Sequence, residues 1–267
     1  MITIIFGAPG AGKSSLSTFF LKKLYEEHGH ELLEKSKKHI DKANDTRIHK
    51  LSYPDRPPIF SDFKVKFLVD YEKYFEPYFI NGFYTGLANE HISIQFIPPG
   101  SKIFLSEVQR YYNSRKSQSM PDFVSRGYEI HRHYDLDFWL DVQRPSLVDL
   151  NIKAISKKLI EVQDMENTKN SADVVTRSVW HCREFENWLA CEQYLATGEK
   201  TYKETAYVNE GNIFDCFDSF NYFSEFLPPE GEDFKFLPFR SRFEAEVCSD
   251  KIYYDFSEPK GFRSKSG

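Results

Sequence analysis

The run Ile2-Thr3-Ile4-Ile5-Phe6 is apolar or β-branched without alternation, which predicts a short strand buried on both faces. Behind it, Leu16, Phe19, Phe20 and Leu24 recur at helical spacing and predict a helix with one inward face. From Lys22 to Lys50 the chain is dense in Lys, Glu and His with thin apolar periodicity, as for the end of that helix and an exposed second one. Tyr53-Pro54-Asp55-Arg56-Pro57-Pro58 is a loop, because proline removes a donor and fixes φ. Residues 63–69 alternate as a strand does, and the aromatic stretch 71–82 predicts a short helix limited by Pro77. Strands follow at 92–97 and 102–105, split by the turn Pro98-Pro99-Gly100-Ser101. A helix over 119–134, with Ser119 as N-cap and Pro121 in its first turn, leads to a strand over 137–142 that stops at Gln143-Arg144-Pro145. This alternation of strand and helix predicts a largely parallel sheet covered on both faces. Past Asn151, closely spaced strands at 152–155, 159–162 and 174–181 give the domain a β-rich ending, with a helical patch at 184–196 and an irregular tail from Phe226.

Length and composition narrow this picture. A chain of 267 residues suits one large α/β domain with a tail, divided here as 1–220 and 221–267. Thirty-five basic against forty acidic side chains leave a formal charge of −5, so there is no global basic field for nucleic acid and any such contact must be local. The four cysteines, Cys182, Cys191, Cys216 and Cys248, form no C-x-x-C pair and have no histidine at zinc-like spacing; they read as free thiols of a reducing compartment. The first strand starts too close to Met1 for a secretory signal, and no apolar run approaches the ~20 residues that cross a bilayer. Both point to a cytoplasmic protein. The aromatic content, 16% with 25 Phe and 16 Tyr, reads as core and surface packing rather than a base-stacking platform.

The chemistry is concentrated just after the first strand. Gly7-Ala8-Pro9-Gly10-Ala11-Gly12-Lys13-Ser14 follows the pattern G-x-x-x-x-G-K-[ST], with a buried strand before it and a helix N-terminus after it. Glycines let successive backbone N–H groups curl around phosphate oxygens, and the helix start adds partial positive charge. Gly7 to Ser15 are the candidate nucleotide-binding residues, with Lys13 reaching the β- and γ-phosphates and the Ser14 hydroxyl ligating Mg²⁺.

Hydrolysis further needs a carboxylate near the metal and a base that positions water, both expected at the end of a buried strand beside the first. Ile103-Phe104-Leu105-Ser106-Glu107 is the candidate, with Glu107 as the base. Gln143, ending the next strand, is placed to hold the γ-phosphate or the attacking water. Arg110, Arg115, Arg126, Arg132 and Arg144 all lie in this stretch, and one of them is a candidate arginine finger across a subunit boundary. His131 and His133, two apart on a helix, face different ways and do not suggest a metal site.

These motifs, in this order, resemble the zonular occludens toxin (Zot) family of filamentous-phage morphogenesis ATPases. Gly7–Ser14 stands at the chain start; Glu107-Val108-Gln109-Arg110 with Ser114-Arg115 is similar to the family's acidic Walker B ending and the residues after it. His131-Arg132-His133-Tyr134, then Asp137 and the strand to Gln143, resemble its R-H-x-x-x-D-x-x-x-x-x-Q stretch, and Gly211-Asn212-Ile213-Phe214-Asp215 a weaker closing signature. The resemblance covers about residues 1–220. It implies an additional-strand, RecA- and FtsK-like P-loop NTPase fold: a largely parallel sheet flanked by helices, with a β-rich C-terminal extension. It also implies Mg-ATP hydrolysis by a homo-oligomeric ring in the host bacterial cytoplasm, at or near the inner membrane. The ring would act on phage DNA, coat or assembly proteins during extrusion, with Arg132 or a neighbour reaching the next subunit's nucleotide. The family usually carries Asp-Glu at the Walker B end, where this chain has Ser106-Glu107; Ser106 could accept a hydrogen bond from metal-bound water but lacks charge, which implies weaker metal binding and slower turnover. The family's usual transmembrane helix has no counterpart here, so a membrane-anchored partner or a longer chain would have to supply it. Two other readings stay open from the residues alone: a small-molecule or nucleotide kinase, and an ATP-binding scaffold with little hydrolysis.

Overall fold

Strand β1 (Ile2–Phe6) is wholly buried inside an eight-stranded sheet. The structure, a computed structural model, describes residues 1–45, 53–69, 73–79, 100–110, 128–129 and 131–217. The other strands are β2 (Ile59–Ser61), β5 (Tyr78–Phe79), β6 (Lys102–Leu105), β7 (Asp137–Val142), β8 (Lys158–Lys169), β9 (Val175–Phe185) and β10 (Lys203–Glu210), while β3 (Phe67–Val69) and β4 (Lys73–Phe75) form a separate antiparallel pair. The order across the sheet is β10-β9-β8-β1-β7-β6-β2-β5. Pairing is parallel from β8 to β5, and antiparallel only where β9 and β10 extend the sheet. A P-loop strand separated by β7 from the strand that ends in Glu107 is the additional-strand arrangement of P-loop NTPases, and β8 to β10 form its β-rich C-terminal part.

Alternate residues of β1 enter different layers. Ile2, Ile4 and Phe6 pack with Phe138, Leu140, Val142 and Leu159, a layer that also takes Ile152 of α2 (Leu150–Ile155) and Cys191 of α3 (Trp188–Thr197). Ile5 faces the opposite layer with Phe104, Ile160 and Trp180, closed by Leu16, Leu21 and Leu32 of α1 (Lys13–Asn44). Phe104 and Trp139 stack across β6 and β7 with centroids 4.5 Å apart, which fixes these two strands side by side on the α1 face. Among the described residues no helix is long and apolar enough to cross a membrane.

Several elements differ from the sequence reading. A single helix runs from Lys13 to Asn44 where two were expected, because its polar half carries i,i+4 pairs such as Lys22–Glu26 and Lys23–Glu27 and no proline. Within the expected helix at 71–82, residues 73–75 and 78–79 are strand: Phe75 packs against Phe67 and Tyr25, and Tyr78 is fully buried beside Phe60. The expected strand at 152–155 lies in α2, since the Asp149 carboxylate accepts the Asn151 N–H at 2.8 Å and caps a helix instead. The strand at 92–97, most of the helix at 119–134 and the tail beyond 217 lie outside the described residues, as does Cys248. Cys182, Cys191 and Cys216 are buried free thiols.

Ahead of β7, His131 is buried in a 3₁₀ turn (His131–Tyr134), with Nδ1 bonded to the Tyr128 carbonyl. Burial is the main cause of a lowered imidazole pKa, opposed by the hydrogen bond to Tyr128. The folded protein therefore binds the His131 proton less readily than the unfolded chain, and stability must fall as the pH drops through and below about 6.5. His131→Asn keeps a donor for the carbonyl but cannot titrate. Urea unfolding at a series of pH values is expected to show a shallower acid loss of stability in the variant than in the wild type; identical slopes would mean His131 is not the group responsible.

Candidate functional site

Gly7 leaves β1 with no room for a side chain, since a Cβ there would stand 2.5 Å from the Val162 carbonyl oxygen of β8. Gly12, at φ +93°, is in the left-handed region that only glycine adopts freely, and a Cβ on it would meet Met165 Sδ at 2.9 Å. Between them the Ala11 N–H bonds the Ala8 carbonyl at 3.1 Å, while Ala8, Pro9 and Gly10 stand open to solvent. Helix α1 then starts at Lys13, so the loop delivers its chain to a helix N-terminus whose first N–H groups have no partner within the helix. Lys13 is only 6% exposed, and its Nζ folds back over the loop to the Ala8 carbonyl at 3.1 Å. The loop thus turns on its glycines between a buried strand and a helix start, with Lys13 folded over it.

The hydroxyls of Ser14 and Ser15 have different surroundings. Ser15 is turned into the protein, where its Oγ accepts the Trp180 Nε1–H at 3.1 Å and lies 2.8 Å from the Gly12 carbonyl. Only its backbone is left for a ligand. Ser14 Oγ donates instead to Asp141 Oδ2 at 3.1 Å.

Asp141 has no place in the sequence reading. It follows Phe138-Trp139-Leu140 in β7, which lies directly beside β1 with Asp141 in register with Ile5. The carboxyl is fully buried, and burial pushes its pKa up to about 7, with Glu107 adding to the rise and Lys13 and the Ser14 hydrogen bond opposing it. Oδ1 is buried without a hydrogen-bond partner among the described residues. The available signal was an acid inside an apolar strand, which is costly unless something in the fold or a ligand engages it.

Strand β6 is one strand removed from β1, where the sequence reading put it alongside. Ser106 at its end is 2% exposed and is engaged by Asp62, which follows β2: the Ser106 N–H donates to Asp62 Oδ1 at 2.8 Å, and the Ser106 hydroxyl bonds the same carboxyl. Asp62 is buried, which drives its pKa well above the usual carboxylate range, and its Oδ2 has no partner among the described residues. Nothing in the short run Ile59-Phe60-Ser61 marked Asp62 in advance, because a three-residue strand carries too little periodicity.

Glu107 is half-buried at φ +48°, a conformation that is unfavourable for a residue with a side chain and here bends the chain out of β6 into a 3₁₀ turn (Val108–Arg110). Its carboxylate accepts from Gln109 Nε2 and, at 3.2 Å, from Gln143 Nε2. Glu107 and Gln143, 36 residues apart, thus meet at the same end of the sheet as Lys13 and Ser14. Arg110 and Arg144 are exposed at this end. Arg132 does not join the site within one chain: it is exposed in the turn before β7, and a six-residue strand separates the two ends by about 20 Å. Arg115 and Arg126 lie outside the described residues. Among the described residues no group of three or more His, Cys, Asp or Glu is placed to hold a metal ion. A hard cation fits differently here: Ser14 offers one hydroxyl, buried carboxylate oxygens lie behind it, and phosphates and water would complete the oxygen set that Mg²⁺ prefers.

No protein-family model matches the chain, and no curated protein does. Among solved structures it is similar to the N-terminal domain of zonular occludens toxin from Neisseria meningitidis, with 17% identity over 81% of this chain and 98% of that one and a TM-score of 0.44. It is also similar to the genome packaging NTPase B204 from Sulfolobus turreted icosahedral virus 2 in complex with ATP-γS, with 9% identity over 79% and 97% of the two chains and a TM-score of 0.39. A KaiC-like protein from Pyrococcus horikoshii is a further match, with 11% identity over 78% and 84% of the two chains and a TM-score of 0.32. The first of these is a zonular occludens toxin, the family that the ordered motifs of this chain resemble.

Proposed function

We propose that the chain is a Mg²⁺-dependent nucleoside triphosphatase, with ATP as substrate, that works as a ring in filamentous-phage assembly and extrusion. The observation that carries the reading is the meeting of Glu107 and Gln143, 3.2 Å apart, at the end of the sheet that also holds the phosphate cradle. A cradle alone binds nucleotide; a carboxylate and an amide beside it give a water molecule an acceptor and a donor. Backbone N–H groups of the loop and the Lys13 ammonium hold the β- and γ-phosphates and balance charge that builds on the leaving oxygen. Ser14 would hold Mg²⁺ through its hydroxyl, and the ion would supply further neutralisation of phosphate charge. Glu107 takes the proton of the attacking water, and Gln143 keeps that carboxylate in place while its amide stays within reach of the γ-phosphate.

The phage role, with DNA, coat or assembly proteins as cargo and a membrane-anchored partner, is supported by the motif resemblance. The ring is supported by the need for a cationic group at the transition state, which Arg132 would meet only from a neighbouring subunit. Steady-state Mg-ATP hydrolysis measured over a range of protein concentrations tests both parts. Turnover per subunit is expected to climb steeply and then level off as subunits associate. A rate per subunit that stays constant from the lowest concentration would remove the ring, and nucleotide binding with no phosphate release at any concentration would leave a scaffold.

A further inference from the structure

We propose that Asp141 supplies the metal-side carboxylate that the end of β6 lacks, so that this chain holds its Mg²⁺ between Ser14 and the strand next to the P-loop strand. The proposal rests on Gly7–Ser14 being a Mg-nucleotide loop, and it names a residue that the motif comparison does not.

Three observations carry it. The residue before Glu107 is Ser106, which is uncharged, and both its N–H and its hydroxyl are committed to Asp62. It has little left to offer a metal-bound water. Strand β7, in contrast, puts Asp141 in register with Ile5, two residues before the loop, and Asp141 Oδ2 is 3.1 Å from the Ser14 hydroxyl, the group that would ligate the metal. Finally, Asp141 is fully buried with Oδ1 unpartnered among the described residues, between Leu140 and Val142, which are themselves fully buried. A carboxyl kept only for packing would be expected to satisfy both oxygens, and an apolar side chain would serve the core better. An acid one bond away from the ligating hydroxyl, with an oxygen to spare, is suited to accept hydrogen bonds from metal-bound water, the way carboxylates commonly serve Mg²⁺. Asp62 then has a separate task, holding Ser106 and the turn that aims Glu107.

Asp141→Asn preserves shape and the contact with Ser14 but removes the charge; Asp141→Ser, smaller and also uncharged, is made in parallel so that failure of one variant to fold leaves the other to decide. Binding of a fluorescent ATP analogue is measured in EDTA and at rising MgCl₂, and Mn²⁺ binding to the nucleotide-loaded protein is followed by EPR. In EDTA the variants are expected to bind the analogue as the wild type does. The Mg²⁺ or Mn²⁺ concentration at half effect is expected to rise roughly tenfold or more, the size of one lost charge-assisted contact. Adding Ser106→Asp to Asp141→Asn is expected to restore much of the metal affinity by returning a carboxylate to β6. Wild-type metal dependence in both Asp141 variants would overturn the proposal while leaving the nucleotide loop intact. A wild type that binds no nucleotide with or without metal would instead overturn the loop reading beneath it.

Discussion

Glu107→Gln is expected to lower ATP turnover by roughly 10²–10⁴-fold, the range that a positioned general base contributes, and to leave nucleotide affinity unchanged. The substitution is close to isosteric, and the Gln143 amide, 3.2 Å from the carboxylate in the wild type, can donate to the new carbonyl oxygen as well. What disappears is the capacity to accept a proton from water. The Lys13 and Ser14 side of the site is untouched, so an ATP analogue should bind as before. Steady-state phosphate release and equilibrium binding on the same preparation separate the two quantities. Turnover within a few-fold of wild type would assign the base elsewhere, and parallel loss of binding and turnover would mean that Glu107 supports the loop rather than the reaction. The left-handed backbone at Glu107 makes the second outcome checkable on its own, because Glu107→Gly relieves the strain and should stabilise the fold while also abolishing turnover.

Lys13→Ala is the second large effect, expected to weaken nucleotide binding by roughly a hundredfold, as when charge-assisted contacts to two phosphates are lost together. In the structure the Lys13 ammonium is nearly buried, donates to the Ala8 carbonyl at 3.1 Å in its own loop, and lies close enough to Asp141 to oppose the rise in that group's pKa. Its removal takes away the principal positive charge among these residues and leaves buried carboxyls facing the phosphates. Thermal unfolding, measured alongside, separates this from a loss of fold, because a nearly buried side chain and the charge beside Asp141 are removed together. Fluorescent-nucleotide anisotropy is the direct check. Binding that survives Lys13→Ala would place the phosphates outside the loop.

Glu107→Gln thus reads the water side of the site and Lys13→Ala the phosphate side, and they should not behave alike. A protein in which both variants lose binding equally would have a loop whose shape depends on every charged member. A protein in which Glu107→Gln alone matters would have phosphate contacts carried mainly by backbone N–H groups, which no side-chain substitution removes.

What the chain carried in plain view was its local chemistry. The apolar run at 2–6, the glycine spacing to Lys13-Ser14 and the apolar face at Leu16 and Phe19 each depend on neighbours a few residues apart, and they appear in the structure as strand, tight loop and helix. The strand ends at Glu107 and Gln143 were legible for the same reason, since a polar residue closing an apolar strand is a short-range pattern. The order of the strands was not, because it depends on which apolar faces pair across more than a hundred residues. That order set β7 rather than β6 beside β1, and with it turned Asp141 from one polar residue in an apolar strand into the partner of Ser14. Asp62 reaches Ser106 across 44 residues by the same route. Segments whose periodicity is weak, such as β10 with its mostly exposed side chains, and residues 152–155, where one capping carboxylate chose helix over strand, were likewise decided by tertiary pairing and by a single side-chain hydrogen bond. The sequence by itself determined a glycine-turned loop between a buried strand and a helix, and the acid and amide that close two neighbouring strands. Only the folded sheet decided which buried carboxylates stand behind them, because burial and pairing between distant strands are properties of the packed structure and not of any window along the chain.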